Sequence, residues 1–352
     1  MHNKRIWLKK NPNMFPLKSI QFAAYFILSV IAPFYSKELL KYSNFPFFNT
    51  FLINLFYLPI AFITTWATSG SLPFNNWTAP PPRGIWLVVL LSITNSLSIS
   101  LTFVCYSISQ IDFVAIFSLS SVIFEAIFLL ILFRTRISIF AWFGLLTIFG
   151  GLIMTMVSFE CLNVHGKIAE ILFILGASFF SSYSRLFHKK VTLTLQGVME
   201  FITSSMVNFW NCLFSTLISL LLYLFVESHH AHNISSIVSI DYINLILFGV
   251  ALLETTRVLG SLLNETNEFA FAESFTHLKV LPILLICTMK LGVKFSLFQL
   301  FCIFFSLSGV VIVSITIDKR IKLTLSDSEG DTISLLNRED GVLNKNVLND
   351  EL

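Results

Sequence analysis

The chain has 352 residues, of which 55% are hydrophobic and only 12% charged, with a mean hydropathy of +0.79 and a formal net charge of +3. Soluble domains carry charge on about a quarter of their residues, so this composition excludes an ordinary globular protein. The basic residues form no basic-aromatic run, which excludes a nucleic-acid surface. There is no His-Glu-x-x-His, and no loop gathers His and Asp for acyl or phosphoryl transfer, so the chain is not expected to be an enzyme or to hold a metal or cofactor.

A spanning helix needs about 20 mostly apolar residues. Ten such stretches follow in chain order, at 17–36, 47–66, 84–106, 110–133, 139–158, 168–187, 201–226, 241–263, 269–289 and 295–316. The predicted fold class is an all-α polytopic membrane protein with ten transmembrane helices. Residues 1–16 form a cytosolic N-terminal segment whose Lys4, Arg5, Lys9 and Lys10 replace the apolar core expected of a signal peptide. Residues 317–352 are polar and read as a disordered cytosolic tail. With the N-terminus inside, most Lys and Arg fall on the cytosolic side. Only Lys37, Lys41, Lys167, Lys290 and Lys294 fall opposite. Both termini are therefore expected in the cytosol. The five cysteines have no metal-type spacing and suit apolar packing. Of the sequons at Asn76, Asn233 and Asn264, only Asn233 falls on the non-cytosolic side, as the glycosylation candidate.

The chain also repeats itself. Span one ends in Tyr35-Ser-Lys37 with Lys41 beyond, and span six in Tyr183-Ser-Arg185 with Lys189 beyond. Gly144 to Met154 in span five matches Cys302 to Ile312 in span ten. Residues 17–158 and 167–316 thus read as two five-helix repeats joined by a linker at 159–166. Five is odd, so the second copy enters the membrane in the opposite sense. Such inverted repeats are the plan of many secondary transporters, with the solute site near the midplane.

Ionisable residues within spans mark where a solute or ion would be handled, since a charge at mid-membrane costs roughly 2.5–3.5 kcal/mol on insertion scales. Span nine holds Glu273, His277 and Lys279. Lys279 suits an anionic phosphate as a point charge; a structural pair with Glu273 or Glu125, or snorkelling to the interface, are the plainer readings. Glu273 and His277, four apart, share a face and can relay a proton or satisfy one another. Glu125 lies midway along span four, after Ser118, Ser120 and Ser121. It reads as a coupling carboxylate or as the partner of Lys279 or Arg257. Asp112, near the start of that span, is expected at the interface. Glu254 and Arg257, three apart on span eight, are expected to form a local ion pair. Tyr35, Lys37, Tyr183 and Arg185 occupy matched places in the halves and can form two mouths, with snorkelling the plainer reading for Lys37. Ser121 and Thr276 complete the candidate lining. In the tail, Asp331 precedes Leu335-Leu336 by four residues, the pattern of an acidic dileucine signal read by clathrin-type sorting adaptors; a purely solvating tail is the alternative.

The segment Tyr35-Ser-Lys37 through Phe45-Pro-Phe-Phe-Asn-Thr50, followed by the Glu160 to Gly166 linker and the Gly176 to Arg185 run with Lys189-Lys190, resembles a known pattern. It is similar to the nucleotide-sugar and triose-phosphate translocator group (solute carrier family 35-like) of the drug/metabolite transporter superfamily. The closest likeness is to its GDP-fucose-transporter-like branch. The resemblance runs from about residue 20 to 316. It implies ten helices, alternating access and antiport of a phosphate-bearing anion, such as a nucleotide sugar, across an organelle membrane, Golgi first and vacuole or endosome second. It places Lys279 where the family has a substrate-binding lysine. Two other basic positions are filled here by Ser118 and Val280, which disfavours a small, doubly charged phosphate. The rival solute is an organic cation, amino acid or vitamin. A non-transporting receptor or scaffold is the rival of another class. Membrane lipid is the obligatory partner, and a homodimer is compatible with all of these.

Overall fold

The computed structural model describes residues 14–69, 82–133, 137–160, 164–198, 204–230, 239–264 and 277–316, and every regular element among them is helical. We label α1 (Met14–Tyr42), α2 (Pro46–Ser69), α3 (Pro82–Ile108), α4 (Ile111–Phe117), α5 (Ser120–Phe133), α6 (Ile139–Glu160), α7 (Val164–Val198), α8 (Ser204–Val226), α9 (Ile240–Asn264) and α10 (Val280–Leu291). Helix α11 is Leu297–Thr316, and α4 with α5 makes one interrupted span. Among the described residues, seven segments are long and apolar enough to cross a membrane: α1, α2, α3, α4–α5, α6, α8 and α11. The chain is thus an all-helical, multi-pass protein suited to a bilayer.

Its surface carries many large apolar side chains, and its largely apolar helix contacts include a set of buried polar residues. Phe143, Leu146 and Phe149 of α6 and Phe301 and Phe304 of α11 are exposed, while Ser92, Ser96 and Ser100 of α3 are buried. Lipid tails give no hydrophobic drive for helices to associate, so small residues that let backbones approach, and hydroxyls that bond across, hold the bundle instead. Ser92 donates to Asn211 Oδ1 of α8 at 3.0 Å, and Ser96 to the Ser215 carbonyl at 3.2 Å. The most extensive packings are α3 on α7, α2 on α8 and α3 on α8, with α5 on α7 and α1 on α9 next.

Helices α6 and α11 cross backbone to backbone. A Cβ placed on Gly309 would lie 2.6 Å from the Gly144 carbonyl oxygen, and one on Gly144 would lie 2.9 Å from that of Gly309. One turn along each helix and further, Gly151 abuts Cys302 and Ser306 in the same way. Only residues without a side chain allow this approach.

The fourth span is broken at Ser118 and Leu119, which are turn residues between α4 and α5. Leu119, Ser121 and Val122 donate to carbonyls three residues back rather than four, at 3.1, 3.0 and 3.2 Å. Ser118 and Ser121 also turn their hydroxyls onto carbonyls three residues earlier, at 2.7 Å each. Such local bonds compete with the helical ladder and favour the tighter turn. A similar turn precedes α10: His277 is helical, Leu278 and Lys279 are turn residues, and α10 begins at Val280. There Leu281 donates to Leu278 at 3.0 Å. Helix α10 packs on α4 and on α1. It ends at Gly292, whose φ of 67° gives the left-handed cap.

Candidate functional site

The break in the fourth span and the turn before α10 bring the ionisable residues together. Glu125, one turn into α5, forms an ion pair with Arg185 of α7. Its second oxygen lies 3.6 Å from His277 Nε2, just before that turn. Lys279, half-buried in the turn, is close enough to Glu125 and Arg185 for both charges to act on it. His277 is buried. Two cations thus act on one carboxylate, and the imidazole lies beside it. Ser121 joins the group through its backbone, its carbonyl accepting from Ser182 of α7 at 3.0 Å. In a region of low polarity these charges act strongly on one another and on any ionic guest.

The arrangement revises several pairings expected from sequence. Glu125 takes Arg185 as its ion-pair partner, with Lys279 near enough for its charge to act as well; Arg185 lies inside α7, which runs on to Val198. His277 turns toward Glu125 on another span. Asp112, expected at the interface, is only 2% exposed. Glu254 accepts from the Tyr57 hydroxyl of α2 at 2.6 Å. Lys37 donates to the Tyr106 and Ser109 carbonyls at the end of α3, at 2.6 and 3.0 Å, so it is tied down and does not snorkel. Tyr183 stacks on Phe187 with centroids 5.1 Å apart and meets Phe128 edge-on, two residues round the helix from Arg185. Tyr35 is buried against Phe248 and so tightly against Gly249 that a Cβ there would collide with its hydroxyl. Ser118 and Ser121 bond to main chain, as described. Glu273, Thr276, Asn233, Asp331, Leu335 and Leu336 lie outside the described residues, as does the side chain of Arg257.

A second polar group, which the sequence did not reveal, ties the helix ends at one face of the bundle. Glu227, just past α8, accepts from the backbone N–H groups of Phe47 and Phe48 at 3.0 and 2.9 Å. These are donors that the start of α2 would otherwise leave unpaired. Burial pushes its carboxyl above the ordinary carboxylate range, and the two N–H groups only partly offset that. Tyr242 of α9 donates to Asn49 Oδ1 at 2.6 Å, and Asn49 in turn to the Ser43 carbonyl at 2.8 Å. Ser109 donates to Glu170 of α7 at 2.8 Å. Partners about 180 residues apart give no local pattern to read, which is why these bonds escaped notice.

No family model matches the chain, and no curated protein matches it. Among solved structures, 27 chains match. One, described only as "Crystal structure of protein", shares 10% identity with a TM-score of 0.54, over 87% of this chain and 99% of its own. At that identity the likeness shows a common helical fold and carries no statement about a solute.

Proposed function

We propose that the chain is a secondary transporter that exchanges a phosphate-bearing metabolite, a nucleotide sugar by preference, by alternating access across an endomembrane. The observation that carries this reading is the cluster of Glu125, Arg185, His277 and Lys279 where the break in the fourth span meets the turn before α10. Broken helices at mid-membrane are where carriers place solute and coupling groups. Two cations against one carboxylate favour an anionic guest, and the Glu125–Arg185 pair lowers the positive charge left for it. That balance suits a diphosphate linked to a bulky neutral group better than a small dianion.

The ten-span, inverted-repeat plan belongs to the same proposal, with α7 as span six and α10 as part of span nine. Its support lies in the packing. Exchanging each helix for the one five spans away turns α3 on α7 into α9 on α1, α3 on α8 into α9 on α2, and α5 on α7 into α10 on α1. The pairs α2 with α8 and α4 with α10 map onto themselves. So does the α6–α11 seam, since Gly144 against Gly309 becomes Cys302 against Gly151. In this plan both termini face the cytosol, and the Glu227, Asn49 and Tyr242 group closes the lumenal face. Localisation to the Golgi, or to the vacuole through the tail signal, is part of the proposal, as is transport in place of catalysis.

Reconstituted into liposomes loaded with unlabelled nucleotide sugars, the protein should take up the matching labelled compound by exchange. Uptake of amines, amino acids or vitamins with no nucleotide-sugar exchange would replace this reading with the rival carrier. Binding without any flux would favour a receptor.

A further inference from the structure

Asp112 is the carboxylate that the Glu125 cluster does not use. It sits on α4, a helix whose seven residues are all buried, and it is itself 2% exposed. The backbone N–H groups of Asp112 and Phe113 serve the carboxyl, but among the described residues its Oδ1 has no hydrogen-bond partner. It also takes part in no ion pair among them. Among the described residues, the helices packed on α4 bring these titratable groups toward it, while Lys290 of α10 is exposed at the far end of that helix. From α10 comes Cys287, fully buried and near enough for the charge of Asp112 to act on it. From α1 comes Lys37, held by the Tyr106 and Ser109 carbonyls. From α3 come Tyr106 and Cys105, both buried. From α7 comes Glu170, which accepts from Ser109.

An ionised carboxylate without a counter-charge is disfavoured in such a place, and a neutral acid is tolerated. Helices α4 and α10 pack on one another, α4 just before the turn at Ser118 and α10 just after the turn at Lys279. If they part, water reaches Asp112 and it can lose its proton to that water. We infer that Asp112 is a proton-operated latch on the α4–α10 contact: neutral while the two helices are packed, ionised once they separate. Acid on that face then holds it closed, and a rise in pH on that face favours opening. The inference rests on the alternating-access reading for what opening serves, but the latch itself is testable without a solute.

Cys287 supplies the probe, being sealed while α4 and α10 stay packed. In a variant keeping Cys287 as its single cysteine, reconstituted in liposomes, alkylation by a water-soluble maleimide reports separation. Its rate is compared with that of Asp112→Asn in the same background, which cancels the thiol's own pH dependence. The ratio of the two rates should be within about twofold of one at about pH 4, near the ordinary value of a water-exposed carboxyl, and rise by about tenfold for each further pH unit over which the packed carboxyl stays neutral. Asp112→Glu should retain the rise. A ratio that does not change with pH, or faster labelling of Asp112→Asn throughout, overturns the latch. Should Asp112→Asn fail to fold, the infrared carbonyl band of a buried carboxylic acid in the parent protein, shifted in Asp112→Glu, decides the matter; no such band at neutral pH overturns the proposal. Failure of every solute in the exchange panel would remove the transport reading and leave the labelling result standing.

Discussion

Glu125 and Arg185 join the fourth span to α7 by an ion pair in which the carboxylate side chain is 16% exposed and the guanidinium 37%. The pair is 60 residues apart in sequence and connects the two halves of the chain. Its position beside the fourth-span break and the turn before α10 makes it a structural tie and a charge setting for the site at once.

Removing one partner should hurt more than removing both. Arg185→Gln leaves Glu125 short of its counter-charge and should lower stability by about 1–3 kcal/mol. The double variant Glu125→Gln with Arg185→Gln should lose less than the sum of the single changes. Thermal melts of the four proteins in one detergent measure the coupling.

Lys279 has the opposite expectation, since the described residues give it neighbours but no ion pair. Lys279→Ala should keep the melting temperature within a few degrees and raise KM for anion exchange about tenfold or more, the loss of roughly 1.4 kcal/mol or more of binding. Lys279→Arg should recover part of it. An unchanged KM with a lowered melting temperature would make Lys279 a structural residue.

The α6–α11 seam predicts a sharp contrast between neighbouring glycines. Gly309→Ala puts a methyl 2.6 Å from the Gly144 carbonyl and 2.8 Å from an Ile148 side-chain carbon, and should cost about 1–3 kcal/mol. Gly150→Ala meets nothing nearer than Phe305 at 3.8 Å and should be close to neutral. Detergent melts of the two variants side by side test this.

Glu227 sets a pH dependence whose sign follows from burial. Its folded carboxyl binds a proton more readily than the unfolded one. The stability this contributes is therefore present below the ordinary carboxylate value and is lost as pH rises through the raised folded value. Melting temperature should fall over that window, and Glu227→Gln should flatten the profile there. Glu227→Ala should instead lower stability at all pH values, by about 1–2 kcal/mol, because the Phe47 and Phe48 N–H groups lose their acceptor.

The apolar stretches anticipated most of the helices, because hydropathy and length are properties of single segments. Where the anticipation failed, the cause was lateral position, which segment composition does not encode. Asp112 stands near the start of its span, yet α4 is enclosed by four other helices and the residue is buried. Helix α7 continues past Lys189 and Lys190 to Val198, beyond the apolar stretch that ends at 187. Tyr57 from α2 reaches Glu254, a partner 197 residues away that local spacing does not encode. The break at Ser118 was visible only in hindsight: the serines that bend the chain were read as solute contacts, and their hydroxyls are spent on their own carbonyls.

The meeting of Gly144 with Gly309 also limits how the bundle can move. Two main chains in contact can tilt about the point where they touch. Sliding by a residue would drive Ile148 or Val313, already the nearest side chains, into the facing backbone. For the carrier proposed above, this seam predicts rocking about α6 and α11 in place of an elevator movement, with the solute kept at one depth while the walls on either side of it change.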